Sequence, residues 1–404
     1  MIRKRSGGVS RRDAVAWLAA TSAASSWASD TKVRPTSAAD GIAPQLAVQL
    51  HPWEMYRNAD NSVNALFTSH LDSLASLGVD CIRIDVGWSA SQPTNTAPRM
   101  SGYNTFINNV LNAIRVKGID CFMTVHQSPA WARPGTGDNV KQFPTDPESI
   151  RPWARWIAKK WGHKVRFFDF WNEPNLEQFA GAGQHTPERY LPLLTAFWQE
   201  VKAVAPRAKV CAPGVSKCDY TWLERCYALG LKDCTDYIGW HPYQGNQEVA
   251  PDDPDVPPGV DGAEQRFYYG NAKMLDVMRL HGDATKPALL TEIGWSAHSN
   301  AGLGEVWQFG VGTAGVPGTW ATVQDKAADY MFRALARLQK AATPQSWPLV
   351  SHSQIKLYTA YVAYKSVGDL HQDNFALLNR DGSRKPQAQF VADWQHDHMT
   401  RRRY

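Results

Sequence analysis

The segment Phe167-Phe168-Asp169-Phe170-Trp171-Asn172-Glu173-Pro174-Asn175 joins an apolar run to a polar turn. A short apolar run bounded by Asn and Pro is typical of a buried strand in a parallel sheet. The segment Ala288-Leu289-Leu290-Thr291-Glu292-Ile293-Gly294-Trp295 has the same form, again with a glutamate near the strand end. The two segments predict that Glu173 and Glu292 lie at the carboxyl ends of two strands of one sheet.

Strand-like runs alternate with helix-like segments along most of the chain. The predicted strands are Gln45–Leu50, Cys81–Val86, Asp120–Val125, Val165–Trp171, Lys209–Pro213, Tyr237–Trp240, Ala288–Thr291 and Ile355–Ala363. Strands that alternate with helices form parallel sheets, and eight parallel strands close into a barrel. The sequence therefore predicts the α/β class: a single (β/α)8 TIM barrel over residues 44–396, with long loops after strands 6 and 7 at residues 244–269 and 296–320.

In such a barrel the residues that follow the strands meet at one rim. Here they include Trp53, His126, Trp131, Glu173, His241, Tyr243, Glu292 and Trp295. The loop positions of Trp53, Trp131 and Trp295 favour stacking on sugar rings over core packing. Cleavage of a glycosidic bond needs two carboxyl groups, one to donate a proton and one to act as nucleophile or base. We therefore expect a retaining glycoside hydrolase.

Composition argues against several other classes. The chain has 404 residues, of which 20% are charged and 43% hydrophobic, as is ordinary for a globular enzyme. Much of the formal net charge of +5 lies at the two ends, so a nucleic-acid partner has little support. The body of the chain has no run of about 20 apolar residues that would span a membrane. We expect no cofactor and no metal, because no glycine-rich phosphate loop follows a strand and His51, His126 and His241 lack metal-ligand spacing. Nothing indicates an obligate partner, so we expect a monomer that binds carbohydrate.

The N-terminal residues predict export. Ser10-Arg11-Arg12 carries a twin arginine, an alanine-rich stretch follows, and Ser26-Trp27-Ala28 offers a cleavage site between small residues. We expect a twin-arginine signal peptide over residues 1–28, a linker over 29–43 and a basic tail over 397–404, with the enzyme periplasmic or secreted. A basic, unstructured N-terminus is the alternative.

The six cysteines match neither a zinc site nor a dense disulfide framework. Cys218, Cys226 and Cys234 cluster between two predicted strands. One disulfide among these three is compatible with export, and the preferred pair is Cys226 with Cys234.

The motif Trp171-Asn172-Glu173-Pro174-Asn175, together with Thr291-Glu292, resembles clan A of the glycoside hydrolases, most nearly families 39 and 5. The resemblance covers about Gln45 to Trp394 and implies that Glu173 is the acid/base and Glu292 the nucleophile. It further implies that Asn172 binds the sugar 2-hydroxyl, that Arg83 keeps Glu292 ionised and that Tyr243 hydrogen-bonds Glu292. His241 would line the pocket floor and His126 would contact substrate. From the residues alone, Asp85 and Asp169 are alternative partners for Arg83.

Two features of this sequence differ from the usual pattern of clan A. Its members usually carry a tryptophan at the end of strand eight, whereas residues 358–365 contain none, so Tyr364 is the candidate sugar platform. Family 39 exo-enzymes often add a β-sandwich after the barrel, which this sequence does not accommodate; this favours endo action on an oligo- or polysaccharide. The open alternatives are an exo-acting β-xylosidase-like glycosidase and a non-catalytic carbohydrate-binding protein.

Overall fold

The computed structural model describes residues 44–52, 55–135, 137, 139–243, 250–252, 267–297, 322–339, 354–364 and 373–401. Several predictions fall outside these residues: the signal peptide and linker before residue 44, Trp53, the last residues of the basic tail, and most of the long loops at 244–269 and 296–320.

Eight parallel strands close into a barrel in sequence order, and the last strand pairs with the first. The strands are β1 Gln45–Leu50, β2 Cys81–Gly87, β3 Asp120–His126, β4 Phe167–Phe170, β5 Lys209–Ser216, β6 Tyr237–His241, β7 Ala288–Ile293 and β8 Ile355–Ala360. The predicted (β/α)8 barrel is therefore confirmed, with strand ends that differ from the prediction by a few residues.

Helices connect the strands and cover the barrel. They are α1 Ala65–Leu77, α2 Trp88–Ser91, α3 Gly102–Val116, α4 Arg151–Trp161, α5 Glu177–Ala180, α6 Pro187–Val204, α7 Tyr220–Ala228, α8 Phe267–Leu280, α9 Val323–Gln339 and α10 Gln389–Arg401. Short 3-10 turns occur at Ala130–Ala132, Pro147–Ile150, Leu231–Cys234 and Pro386–Ala388. Because α10 continues to Arg401, most of the predicted basic tail is helical. Within the described part of the chain, no helix is both long enough and apolar enough to cross a membrane.

Local sequence sets the ends of these helices, as α1 shows. The Asn64 side chain accepts a hydrogen bond from the Phe67 N–H at 3.1 Å, so Asn64 caps the first turn. At the other end Gly78 adopts φ 80°, a left-handed conformation that glycine enters without strain. The apolar residues of α1 then face the barrel, where Phe67, Leu71 and Leu74 are buried.

The interior of the barrel has an apolar layer near the amino ends of the strands and a polar layer above it. The apolar layer consists of Ala47, Cys81, Phe122, Phe167, Cys211, Leu289 and Leu357. Residues two positions further along a strand point to the same side. Those that follow the apolar layer include Gln49, Arg83, Thr124, Asp169, Thr291 and Thr359, all buried. Buried polar groups are costly unless they bond to one another, so this polar layer marks the functional end of the barrel.

The expected disulfide is not formed, and this prediction is wrong. All six cysteines are free thiols and buried. Cys226 lies on the inner face of α7, and the Cys234 thiol lies 3.5 Å from the Leu231 carbonyl oxygen, to which it donates. Burial raises the pKa of both thiols, that of Cys234 to about 11, so both behave as small apolar side chains.

Candidate active site

The site is built around the Arg83 guanidinium in the centre of the polar layer. Arg83 is fully buried, and its Nε–H donates to Thr124 Oγ1 at 2.8 Å. Its Nη1 donates to the Thr291 carbonyl at 2.8 Å and to Glu292 Oε2 at 2.6 Å. Its Nη2 donates to Asn172 Oδ1 at 2.7 Å. One side chain on β2 therefore orients groups from β3, β4 and β7.

Three carboxyl groups share this guanidinium. Glu292 bonds to it directly, Asp85 Oδ1 lies 3.7 Å from Nη2, and Asp169 acts on it through its charge. Burial alone would lower the pKa of Arg83, but the charges of Glu292, Asp85 and Asp169 outweigh it and raise the pKa. Arg83 therefore stays a cation in the barrel interior. The residues that sequence reasoning treated as alternative partners all face it together.

Glu292 is fixed by two donors. Its Oε2 accepts from Arg83, and its Oε1 accepts from the Tyr243 hydroxyl at 2.7 Å. Burial, and next the charge of Glu292, raise the pKa of Tyr243 well above its usual range, so the phenol keeps its proton and remains a donor. Two bonds to the same carboxylate, one of them from a cation, hold it in a single orientation.

Glu173 lies in the turn after β4 in a different environment. Its φ of 46° is left-handed, and its N–H donates to the Gly214 carbonyl at 3.0 Å. Its Oε1 lies 3.1 Å from His241 Nδ1. Burial raises the pKa of Glu173 to about 7, against opposing effects from the Ser216 hydrogen bond and the Arg83 charge. Glu173 therefore carries its proton at slightly acidic pH.

His241 connects the two carboxyl groups. Its Nε2 lies 3.5 Å from Arg83 Nη1, and because arginine only donates, we assign the proton to Nδ1, which then donates to Glu173. Burial lowers the pKa of His241 to about 3, so the ring is neutral. Glu173 thus faces a neutral imidazole while Glu292 faces a cation, an arrangement that separates a proton donor from a nucleophile.

The backbone that supports Glu173 comes from an irregularity in β5. The pairing of β5 with β6 shifts register beside Gly214, which adopts φ 62°. A side chain there would lie 3.0 Å from the Trp171 carbonyl oxygen, so the position needs glycine. The last residue of the quoted motif, Asn175, ties the two loops together: its Oδ1 accepts from the Ser216 N–H at 2.8 Å, and its Nδ2 donates to the Ser216 carbonyl at 3.1 Å.

A second polar group lies beside Arg83 at the ends of β1, β2 and β3. Asp85 Oδ2 accepts from His51 Nδ1 at 2.7 Å and from Gln49 Nε2 at 3.0 Å. Burial favours a higher pKa for Asp85, but His51 and Arg83 together outweigh burial and hold the pKa well below its usual range. His126 is 7% exposed, and its Nδ1 has no hydrogen-bond partner within the described part of the chain. Burial lowers the pKa of His126 to about 4, so a neutral imidazole lines this edge.

The tryptophans predicted to stack on sugar fall in different places. Trp295 is 1% exposed and packs against Phe267 and Tyr330, so its ring belongs to the core; this corrects the prediction. Trp131 is partly exposed, and its indole N–H donates to the Gln92 carbonyl at 3.1 Å. Trp131 therefore remains a candidate for sugar stacking.

The structure also brings a different tyrosine to the site. Tyr364 packs against His70 of α1, with ring centroids 5.1 Å apart, and so lies on the helical side of the barrel wall. Tyr361 follows β8, two residues beyond the inward Thr359, and burial and the charge of Glu292 raise the pKa of its hydroxyl. The alternation of inward residues was the signal that could have found Tyr361. Tyr361 therefore replaces Tyr364 as the candidate sugar platform.

Removal of the Tyr243 hydroxyl tests how firmly Glu292 must be held. We expect Tyr243→Phe to lower kcat/KM roughly ten- to a hundredfold, because one charge-assisted hydrogen bond is lost while the ring stays against Phe375. The measurement is steady-state kinetics on an aryl glycoside. Tyr190→Phe is the matched control, since that buried hydroxyl donates to the Phe170 carbonyl at 2.8 Å on the outer side of β4. Equal kinetics for the two variants would contradict this account.

Within the described residues, no group of three or more His, Cys, Asp and Glu side chains is arranged to hold a metal ion. The site consists instead of paired carboxyl groups, a buried cation and neutral imidazoles at the carboxyl ends of the strands. Two carboxyl groups with contrasting surroundings at this end of a barrel are characteristic of the glycoside hydrolases.

Comparison with known proteins agrees with this class. The family model described as cellulase (glycosyl hydrolase family 5) matches residues 49–269, more than half of the chain. The chain belongs to glycosyl hydrolase family 5, and the resemblance to clan A is confirmed.

Solved structures share the fold. A family 39 glycoside hydrolase from the gut symbiont Bacteroides cellulosilyticus WH2 has 20% sequence identity and a TM-score of 0.62, with 87% of this chain and 63% of that chain covered. A monomeric β-xylosidase from Caulobacter crescentus CB15 has 17% identity and a TM-score of 0.57, with 88% and 69% covered. Among curated proteins, β-glucosidase 34 of Oryza sativa subsp. japonica is 25% identical over 146 residues, which are 34% of this chain and 28% of the rice protein. The chain thus spans less than two thirds of the family 39 structure, and its match to the rice protein is shorter still.

Proposed function

We propose that this protein is a retaining glycosidase that cleaves β-glycosidic bonds in an oligo- or polysaccharide by double displacement. The observation that carries the proposal is the line of contacts from Glu173 through His241 and Arg83 to Glu292. It joins two carboxyl groups at the carboxyl ends of the strands and gives them opposite surroundings.

In the first step Glu292 attacks the anomeric carbon, and Glu173 gives its proton to the glycosidic oxygen as the carbon–oxygen bond breaks. A glycosyl ester on Glu292 results, and the leaving sugar departs with the proton. In the second step Glu173, now ionised, takes a proton from water while the water oxygen attacks the same carbon and releases Glu292. The His241 Nδ1–H stabilises the charge that Glu173 carries between the two steps.

Other residues are suited to hold the sugar at the reacting position. Asn172 Oδ1 is occupied by Arg83, so the amide orientation is fixed and Nδ2 is left as a donor for a hydroxyl next to the anomeric carbon. His51 and His126 supply ring nitrogens at the edge formed by β1 and β3, and Tyr361 supplies an aromatic wall. These groups would bind hydroxyls of the sugar on the Glu292 side.

We further propose that the enzyme is endo-acting, which means that it cleaves bonds within a sugar chain rather than at its end. This proposal is supported by the partly exposed Trp131, whose ring can stack on a sugar of a longer chain. The test is release of reducing ends from a panel of β-linked polysaccharides and oligosaccharides, with product lengths measured. Products of several lengths from early times support endo action, whereas release of single sugars alone supports an exo-acting enzyme. Binding without cleavage of any member would support a carbohydrate-binding protein instead.

The protonation state of Glu173 predicts how kcat/KM depends on pH. Its pKa is raised to about 7, so the proton needed for the first step is present below that pH and lost above it. We expect kcat/KM to fall on the basic side with an apparent pKa near this value, and Glu173→Gln to abolish that limb because the amide does not titrate. A wild-type profile that stays flat to about pH 9 would exclude Glu173 as the acid.

A further inference from the structure

Asp169 is a buried carboxyl group that the proposed reaction does not use. It is fully buried in the polar layer of the barrel, on β4, two residues beyond Phe167 of the apolar layer. Its Oδ2 lies 2.9 Å from Thr124 Oγ1, and Thr124 Oγ1 lies 2.8 Å from Arg83 Nε. Asp169 is therefore connected to Arg83 through a single hydroxyl group.

The direction of these hydrogen bonds is fixed by chemistry. Arginine only donates, so the Thr124 oxygen accepts from Arg83 and its own proton must go to Asp169. Asp169 thereby orients the hydroxyl that holds the Nε edge of the guanidinium. With that edge held, Nη1 and Nη2 point to Glu292 and Asn172.

Asp169 also affects the site through its charge. The charged and titratable groups that face it inside the barrel are Arg83 and Asp85 on β2, Cys211 on β5 and Glu292 on β7. Its charge also acts on Tyr190 of α6, on the outer side of β4. Arg83 is the cation among them, and the carboxylates share its attraction. Burial raises the pKa of Asp169 to about 6, against the lowering effects of Arg83 and Thr124. Asp169 is therefore ionised at neutral pH and neutral at about pH 5.

We propose that Asp169 is a positioning residue for Glu292, acting on it in two ways. Through Thr124 it fixes the rotation of the Arg83 guanidinium. In its ionised state it weakens the hold of Arg83 on Glu292 and favours the positive charge that develops on the sugar. The inference rests on the proposed function, since it assigns Asp169 a part in the same reaction. Loss of the Asp169 charge makes Glu292 a weaker nucleophile and the cationic transition state less stable.

Three variants separate charge, orientation and structure. Asp169→Asn keeps the acceptor oxygen and the size but removes the charge. Thr124→Val removes the hydroxyl between Asp169 and Arg83. Asp236→Asn is the matched control, because Asp236 accepts hydrogen bonds from Lys202 and Lys209 before the start of β6, at the opposite end of the barrel.

The measurement is kcat/KM of each variant on an aryl β-glycoside between about pH 5 and pH 7. For Asp169→Asn we expect the ratio of wild-type to variant activity to be roughly tenfold at the neutral end and to approach one at the acidic end, where the wild-type carboxyl is also neutral. Thr124→Val should lower kcat at the acidic end as well, where the Asp169 charge no longer contributes, because the orientation of Arg83 by the Thr124 hydroxyl does not depend on that charge. Asp236→Asn should leave the ratio near one throughout. A pH-independent ratio for Asp169→Asn would overturn the proposal, since a purely structural role predicts that result.

If the wild-type protein hydrolyses none of the glycosides, the proposed function is wrong. The coupling of Asp169 to Glu292 is then tested by a measurement that does not require activity. The readout is carboxyl carbon NMR of protein labelled at Asp and Glu side chains, with Asp169→Asn and Glu292→Gln used to assign the two resonances. The charged and titratable groups that interact with Glu292 are Arg83, Asp169, His241, Tyr243 and Tyr361. We expect the Glu292 resonance to show an inflection at the midpoint of the Asp169 titration and to lose it in Asp169→Asn. A Glu292 resonance that does not respond at that midpoint would overturn the inference.

Discussion

The Glu292→Gln variant is expected to lose roughly 10⁴-fold or more in kcat/KM on any substrate that the wild type cleaves. An amide oxygen is too weak a nucleophile to form the glycosyl ester. The amide also offers one acceptor where the carboxylate has two, so either Arg83 or Tyr243 loses its hydrogen bond. Asp85 and Asp169 still face Arg83, so the guanidinium keeps compensating charges and the fold should survive.

The measurement is kcat/KM on aryl and natural β-glycosides, with thermal unfolding to show that the variant is folded. Glu177→Gln is the control, because Glu177 is an exposed carboxylate on α5, shortly after the same motif. We expect the control to match the wild type. A folded Glu292→Gln protein that keeps more than about a tenth of the activity would show that the nucleophile is another group.

The Glu173→Gln variant is expected to show a loss that depends on the leaving group. For substrates whose leaving group needs protonation, kcat/KM should fall roughly 10²- to 10⁴-fold, which is the usual contribution of a positioned acid. For a dinitrophenyl glycoside, whose leaving group departs without a proton, the first step should be nearly unchanged. Breakdown of the glycosyl enzyme should then limit the rate, because no base activates water.

The comparison is made with aryl glycosides of graded leaving-group pKa, by steady-state and burst kinetics. His241 should be undisturbed, since its Nδ1–H can donate to the amide oxygen of the variant as it does to Glu173. An equal loss for good and poor leaving groups would assign Glu173 a binding role rather than proton transfer.

Much of the fold could be predicted from the sequence because its signals are local. Each strand is a short apolar run between turn residues, and parallel strands buried on both faces need such runs. The position of the two glutamates followed from the same pattern, because the residue after a strand lies on the rim wherever the barrel closes. Arg83 was recognised as a partner of Glu292, but its interaction with three carboxyl groups depends on the barrel bringing distant strands together.

The predictions that failed depended on tertiary packing. Trp295 is three residues from Glu292 in the sequence, yet its ring packs against Phe267 and Tyr330. The hydrogen bond from Ser216 to Glu173 was also missed. It depends on the register shift at Gly214, which changes the β5 residues that face the barrel interior, and no sequence pattern predicts that shift. In contrast, the position of Tyr361 could have been predicted from the sequence. Tyr361 continues the alternation of inward-facing residues on β8, whereas Tyr364 does not.

The measurement that tests the central claim most directly is capture of the covalent intermediate. The protein is incubated with 2-deoxy-2-fluoro glycosyl fluorides of the gluco, xylo and manno series. The fluorine at C2 slows both steps by destabilising their cationic transition states, while the fluoride leaving group keeps the first step fast enough for the glycosyl ester to accumulate. Intact-mass analysis and peptide mapping then locate the label. We predict one sugar per chain, attached to Glu292, and no label in Glu292→Gln. A label on any other residue, or hydrolysis that gives the inverted anomer, would contradict the account.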